Sequence, residues 1–173
     1  VILISNHLLT LPEFRNVENV TVRINMAYVK DMDELYKFLD VRYDIFLDYP
    51  KARTKPPVPT LSMDDALEVM SQYKNIKYFA LSNIENKSEV DIICDIIPNR
   101  VNFVPKIETL NGVLNLKDIF NSGRIKYIML DSEDLYTSVK NDRELYLQLK
   151  GRVKETCDEF GIELLELYGV VFK

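Results

Sequence analysis

The stretch VPKIETLNGVLNLKDI, residues 104–119, begins as an apolar run and ends as an amphipathic one. Val101 to Ile107 reads as a strand, and side chains two apart on a strand share a face. Lys106 and Glu108 therefore point the same way, out of a segment otherwise apolar enough to be buried. An ammonium beside a carboxylate at the end of an interior strand has two readings. One is a structural ion pair that only fixes packing. The other is a site that holds a metal and an anionic substrate, since perturbed buried charges concentrate at such sites.

Outward from this stretch, short apolar runs recur: ILIS (2–5), VTVRINM (20–26), YDIFLDY (43–49), KYFALS (77–82), VNFVPKIE (101–108), KYIMLD (126–131) and IELLELYGVVF (162–172). Helix-like segments separate them: Asp31 to Leu39, Met63 to Tyr73, Glu85 to Ile97, Leu114 to Asn121 and Asp142 to Phe160. Ser62 with Asp65 three residues later resembles a capping box, and Gly161 is a good helix stop. Near-continuous apolar strands alternating with helices argue for a parallel sheet covered by helices.

Polar residues gather where the strands end: Asn6 and His7, Arg23 and Asn25, Asp48, Ser82, Lys106 and Glu108, Asp131 and Asp134. In a (β/α)₈ barrel those ends form the active-site face, and the whole fold takes eight strands and ~250 residues. Seven runs in 173 residues fall short on both counts. The expected fold is therefore α/β, of the TIM-barrel type, small or incomplete, with residues 1–173 as a single domain. Gly169 could split the last run into two strands. The one conspicuous loop is KARTKPPVPT, residues 51–60, where Pro56, Pro57 and Pro59 make a stiff, extended connector.

Bulk properties exclude some partners. With 47 % apolar and 28 % charged residues the chain can bury a core and keep a solvated surface. A net charge of −5 gives no support for nucleic-acid binding. No apolar run approaches the ~20 residues that cross a bilayer. Cys94 and Cys157, each in a helix-like stretch and without a disulfide framework, suggest a reducing cytoplasm. The first residue is Val and the C-terminus is apolar, so further residues could adjoin either end. His7, the lone histidine, reads as structural or exposed, with acid–base work as the sharper alternative.

In this order the segments resemble the catalytic barrel of pyruvate kinase, within the superfamily of barrels that bind phosphoenolpyruvate and pyruvate. TVRINM is similar to that family's Arg- and Asn-bearing strand, and FLDYPKART to its Asp strand and the basic segment after it. LSMDDALEVMSQYKNIKYFALSNIENKSEVDIICDII follows its helix, Phe-Ala-Leu-Ser strand and next helix. VPKIETLNGVLNLKDI is similar to its Lys-Ile-Glu strand, and IMLDSEDL to the strand ending in an Asp-Leu pair. The similarity covers about residues 20 to 138.

The resemblance implies roles. Lys106 and Arg23 would be catalytic, Lys106 facing the phosphoryl group and the enolate oxygen, Arg23 the phosphoryl group. Glu108 and Asp134 would hold Mg²⁺ or Mn²⁺. Arg23, Asn25, Arg53 and Thr109 would bind substrate, a small carboxylate or phosphate. Asn25 and Asp48 would match half of a monovalent-cation site. Ala27 and Tyr49 stand where that family has Ser and Thr, which argues against K⁺, and Glu133 replaces a glycine before the metal aspartate. That family's lid would be inserted near Thr54, where only the connector exists.

A second branch matches the metal strands equally well: IETLNGVLNLKDI with EDLYTSV resembles the citrate-lyase-type and hydroxy-oxo-acid aldolases, which work without a lid. Three functions stay open. They are a reduced kinase-like barrel that binds Mg²⁺ and an enolpyruvate or 2-oxoacid, a metal-dependent aldolase or lyase, and a non-catalytic binding or assembly module. An incomplete barrel would also leave apolar strand edges for a second copy to cover, so a homo-oligomer is expected.

Overall fold

The computed structural model describes residues 2–5, 20–53 and 56–166, with side chains from residue 21 to 53 and 56 to 165. His7, Thr54 and Gly169 lie outside the described residues. The chain divides into two compact units, Val1–Ala80 with Ile97–Val101, and Leu81–Ile96 with Asn102–Lys173.

In the first unit, β1 (Ile2–Ser5), β2 (Val20–Asn25) and β3 (Asp44–Tyr49) pair in parallel with β2 in the middle. A 3₁₀ turn, Met26–Tyr28, and α1 (Met32–Leu39) connect β2 to β3; α2 (Met63–Gln72) leads to β4 (Ile76–Leu81). Four consecutive β3 residues, Ile45 to Asp48, are buried, so both faces of that strand are covered. This is why the run is continuously apolar up to its end instead of alternating. Leu35 and Leu39 of α1 recur at the helical spacing and are buried, as are Ala66, Val69 and Met70 of α2. The expected box at the start of α2 forms: Ser62 Oγ accepts from the Asp65 N–H, and the Asp65 carboxylate accepts from the Ser62 N–H. The described part of the connector from Pro56 to Thr60 is neither helix nor strand.

In the second unit, β5 (Asn102–Ile107), β6 (Tyr127–Leu130) and β7 (Glu163–Glu166) are parallel in chain order. α3 (Lys87–Ile96) precedes β5 and packs on it. Where one helix from Leu114 to Asn121 is expected, two short ones occur, α4 (Leu110–Leu114) and α5 (Leu116–Phe120). Thr109 Oγ1 accepts from the Gly112 N–H, which starts the first helix early. Asn115 then ends that helix and begins the next. The acidic run DSED becomes the start of α6 (Ser132–Ser138), capped by Asp131, with Glu133 and Asp134 in its first turn, where the helix dipole favours negative charge. The long α7 (Arg143–Phe160) buries Leu149, Val153, Thr156 and Cys157 along one face. It stops at Gly161, whose φ of 65° is left-handed.

Strand followed by helix, with parallel pairing throughout each unit's described pairs, is an α/β fold of the TIM-barrel type, small and incomplete. Among the described residues no helix is long and apolar enough to cross a membrane.

Candidate active site

β5 and β6 set the site. Their register pairs Lys106 with Met129 and Ile107 with Leu130, so Glu108 and Asp131 leave the two strands at one level. The Asp131 N–H donates to the Ile107 carbonyl at 3.2 Å and holds that level one residue past the sheet. Lys106 and Glu108 are 5 % and 4 % exposed. Their shared face brings the Lys106 ammonium to 2.9 Å from Glu108 Oε1. The same ammonium donates to the buried Ser82 hydroxyl at 3.2 Å and lies 4.0 Å from Asp131 Oδ2.

Glu108, Asp131 and Asp134 each offer a carboxylate oxygen, and these oxygens lie within 4.8 Å of one another. The start of α6 brings in the third: Asp131 Oδ1 accepts from the Asp134 N–H at 3.2 Å, so the cap and the helix's first turn are folded together. Burial holds the Glu108 carboxyl above its ordinary value of 4.5; the Lys106 ammonium and the Asn83 N–H pull it back down. Donation from Asn83 to Glu108 Oε2 spans 2.7 Å.

An all-carboxylate set suits a hard divalent cation, which takes oxygen ligands and keeps several waters. Opposite ligands of Mg²⁺ stand ~4.2 Å apart, two bonds of about 2.1 Å, and those of Ca²⁺ somewhat farther. The spread of 4.8 Å is close enough to either that rotamer adjustment would close it. The residues fit a divalent cation.

The structure thus brings together three residues singled out in the sequence, Lys106, Glu108 and Asp134, and adds Asp131 and Ser82. Asp131 was visible at a strand end; only the D-x-x-D capping spacing hinted that both aspartates belong to one structure. Thr109 also lies here, but its hydroxyl is engaged: it donates to Glu85 Oε1 at 2.6 Å and accepts from Gly112.

The other candidates lie in the first unit. Arg23 is level with Phe46, and Asp48 sits two residues further along β3, a diagonal neighbour within reach of a guanidinium. Arg23 Nε donates to Asp48 Oδ2 at 3.0 Å, and Nη2 bonds the same oxygen. Asn25 Oδ1 accepts from the Ala27 N–H at 3.0 Å and so caps its own 3₁₀ turn. Arg53 donates to the carbonyls of Pro57 and Pro56, at 3.0 and 3.1 Å, and lies over the Tyr28 ring. It folds the proline-rich connector back on itself.

The cysteines take no part in this chemistry. Cys157 is buried and its thiol is pushed up to about 12; burial also raises that of Cys94.

No family model matches the chain, and no curated protein sequence matches it. Solved structures do. RipC from Yersinia pestis matches with a TM-score of 0.66 at 11 % identity, covering 98 % of this chain and 76 % of that one. An HpcH/HpaI aldolase/citrate lyase family protein from Burkholderia cenocepacia J2315 matches with a TM-score of 0.66 at 12 % identity, covering 86 % of this chain and 71 % of that one. The citrate synthase SbnG matches with a TM-score of 0.65 at 15 % identity, covering 86 % and 68 %. At such identities the likeness is one of fold: the chain shares the TIM-barrel-like architecture of these structures, an aldolase/citrate lyase family member among them.

Proposed function

We propose that this chain binds a divalent cation, Mg²⁺ or Mn²⁺, on Glu108, Asp131 and Asp134, and a small 2-oxoacid or enolpyruvate beside it, for lyase- or aldolase-type enolate chemistry. The observation that carries the reading is the convergence of three carboxylates around the end of β5 with a buried ammonium in contact with one of them. Bound there, the cation would supply Lewis acidity toward the carboxylate and 2-oxo oxygens of the ligand. Lys106 places a fixed positive charge, oriented by Ser82, where enolate charge would develop. The burial that surrounds Lys106 and Glu108 excludes water and strengthens that interaction.

Kinase-type phosphoryl transfer has less support than lyase chemistry. Arg23 and Arg53, the guanidiniums that the pyruvate kinase resemblance gives to substrate, are engaged by Asp48 and by loop carbonyls. The fold likeness to an aldolase/citrate lyase family protein points the same way.

The test is a Mn²⁺ titration of wild type and Glu108→Ala, with and without pyruvate or oxalate. Wild type is expected to bind the ion, to bind the acid only when the ion is present, and to lose both in the variant. Identical curves for the two chains would end the proposal. Solvent-proton exchange into pyruvate then tests enolisation, and Lys106→Ala is expected to abolish it.

A further inference from the structure

The two oxygens of Glu108 are held by different segments of the second unit. Oε1 meets the Lys106 ammonium at 2.9 Å, whereas Oε2 accepts from the backbone N–H of Asn83 at 2.7 Å. That N–H is aimed by an uncommon backbone: Asn83 has a φ of 54°, in the left-handed region that asparagine tolerates better than most side chains. The residues that follow are fastened too. The Ile84 N–H donates to the Lys106 carbonyl at 3.2 Å, and the Glu85 carbonyl accepts from the Asn115 amide at 2.9 Å. Thr109 reaches the Glu85 carboxylate at 2.6 Å. Gly112 completes the clamp, because a Cβ there would stand 2.9 Å from the Ile84 carbonyl oxygen. The loop between β4 and α3 is thereby locked onto the end of β5.

We propose that Asn83 is a positioning residue for the cation site: its left-handed backbone turns its N–H onto Glu108 Oε2 and fixes the plane in which the carboxylate faces Asp131 and Asp134. The inference rests on the cation reading of Glu108. A carboxylate held at one oxygen by a rigid amide cannot pivot about its side-chain bonds, so its other oxygen keeps its place in the cluster. Groups that orient a ligand in this way typically cost about 10- to 100-fold in metal affinity when lost.

The experiment measures Mn²⁺ affinity and the urea unfolding midpoint for the full chain and four variants. Asn83→Val carries a β-branched side chain that disfavours positive φ and turns the N–H away; it is expected to bind Mn²⁺ about 10- to 100-fold more weakly. Asn83→Gly adopts positive φ freely and keeps the N–H, so its affinity is expected to stay close to wild type. Gly112→Ala pushes the Ile84 carbonyl, moves the same loop without touching a ligand, and is expected to weaken binding; it decides the matter if Asn83→Val does not fold. Glu108→Ala is expected to lose the ion. Should that variant bind as wild type does, the cation reading itself fails. Loss in Glu108→Ala with wild-type affinity in Asn83→Val and Gly112→Ala would overturn the positioning role alone. Equal weakening in Asn83→Val and Asn83→Gly would assign the effect to the side chain and also overturn it.

Discussion

Arg23 with Asp48 in the first unit and Lys106 with the nearby carboxylates in the second are both partly buried charge clusters on parallel strands. Their stoichiometry differs. Arg23 answers Asp48 one to one through two bonds to a single carboxylate oxygen. In the other cluster the carboxylates of Glu108, Asp131 and Asp134 crowd within 4.8 Å of one another, and the Lys106 ammonium contacts the first and lies 4.0 Å from the second. A balanced pair has no electrostatic need of a further cation, and its worth is mostly that neither partner is left alone in a poor solvent. Carboxylates crowded together repel one another, and a divalent ion would relieve that repulsion. Buried charge by itself is thus a weak sign of function; several like charges converging on one place make it a stronger one.

The sharpest way to break this comparison is to remove one side of the balanced pair. Arg23→Met leaves the Asp48 carboxylate, whose side chain is 1 % exposed, without its guanidinium. Loss of about 3–5 kcal/mol of stability is expected from urea unfolding, with Mn²⁺ affinity of the folded protein unchanged. A variant that keeps its stability but loses the ion would reverse the roles of the two clusters.

A smaller effect separates the proposed ligand role of Asp131 from its work as the cap of α6. Asp131→Asn keeps a good capping oxygen and removes the charge; Asp131→Ala removes both. Both are expected to weaken Mn²⁺ binding by roughly tenfold or more, equivalent to ~1.4 kcal/mol. Only the alanine variant should also lose about 1 kcal/mol of folding stability. Wild-type affinity in the asparagine variant would reduce Asp131 to a helix cap.

The smallest effect is the pH dependence of the carboxylate cluster. Burial makes Glu108 hold its proton to higher pH in the folded chain than in the unfolded one. Between those two values the folded state binds more protons, so its stability falls as pH rises from about 4.5. Glu108→Gln, which stays neutral, lacks that loss. The stability difference between wild type and this variant, followed by urea unfolding in chelator-treated buffer, is expected to move against wild type as pH climbs. A difference independent of pH would mean that Lys106 and Asn83 fully offset the burial.

Much of this was written locally. The apolar runs are long enough for strands, and six of the seven described strands lie inside one of them, with β4 starting one residue ahead of its run at Ile76, because a sheet covered on both sides needs continuous apolar side chains. The Ser62 box and the Gly161 stop are likewise local devices, each satisfying the backbone groups of its own helix end. Alternation on one strand was enough to put Lys106 and Glu108 on one face. Local pattern was less informative where a single side chain sets a boundary, as Thr109 does in starting a helix at Leu110, ahead of the expected one. It was silent on the partners of Arg23, since Asp48 is 25 residues away and meets it only through the register of β2 and β3.

The amino-acid order by itself determined the strand–helix alternation, the incomplete barrel type and the pairing of an amine with an acid on one strand face. Tertiary structure alone decided which charges meet. The level of Asp131 against Glu108 follows from hydrogen bonds between β5 and β6, and the second hold on Glu108 comes from an amide in the loop after β4. Contacts of that kind depend on how distant segments are aligned, and no periodicity within one segment encodes that alignment.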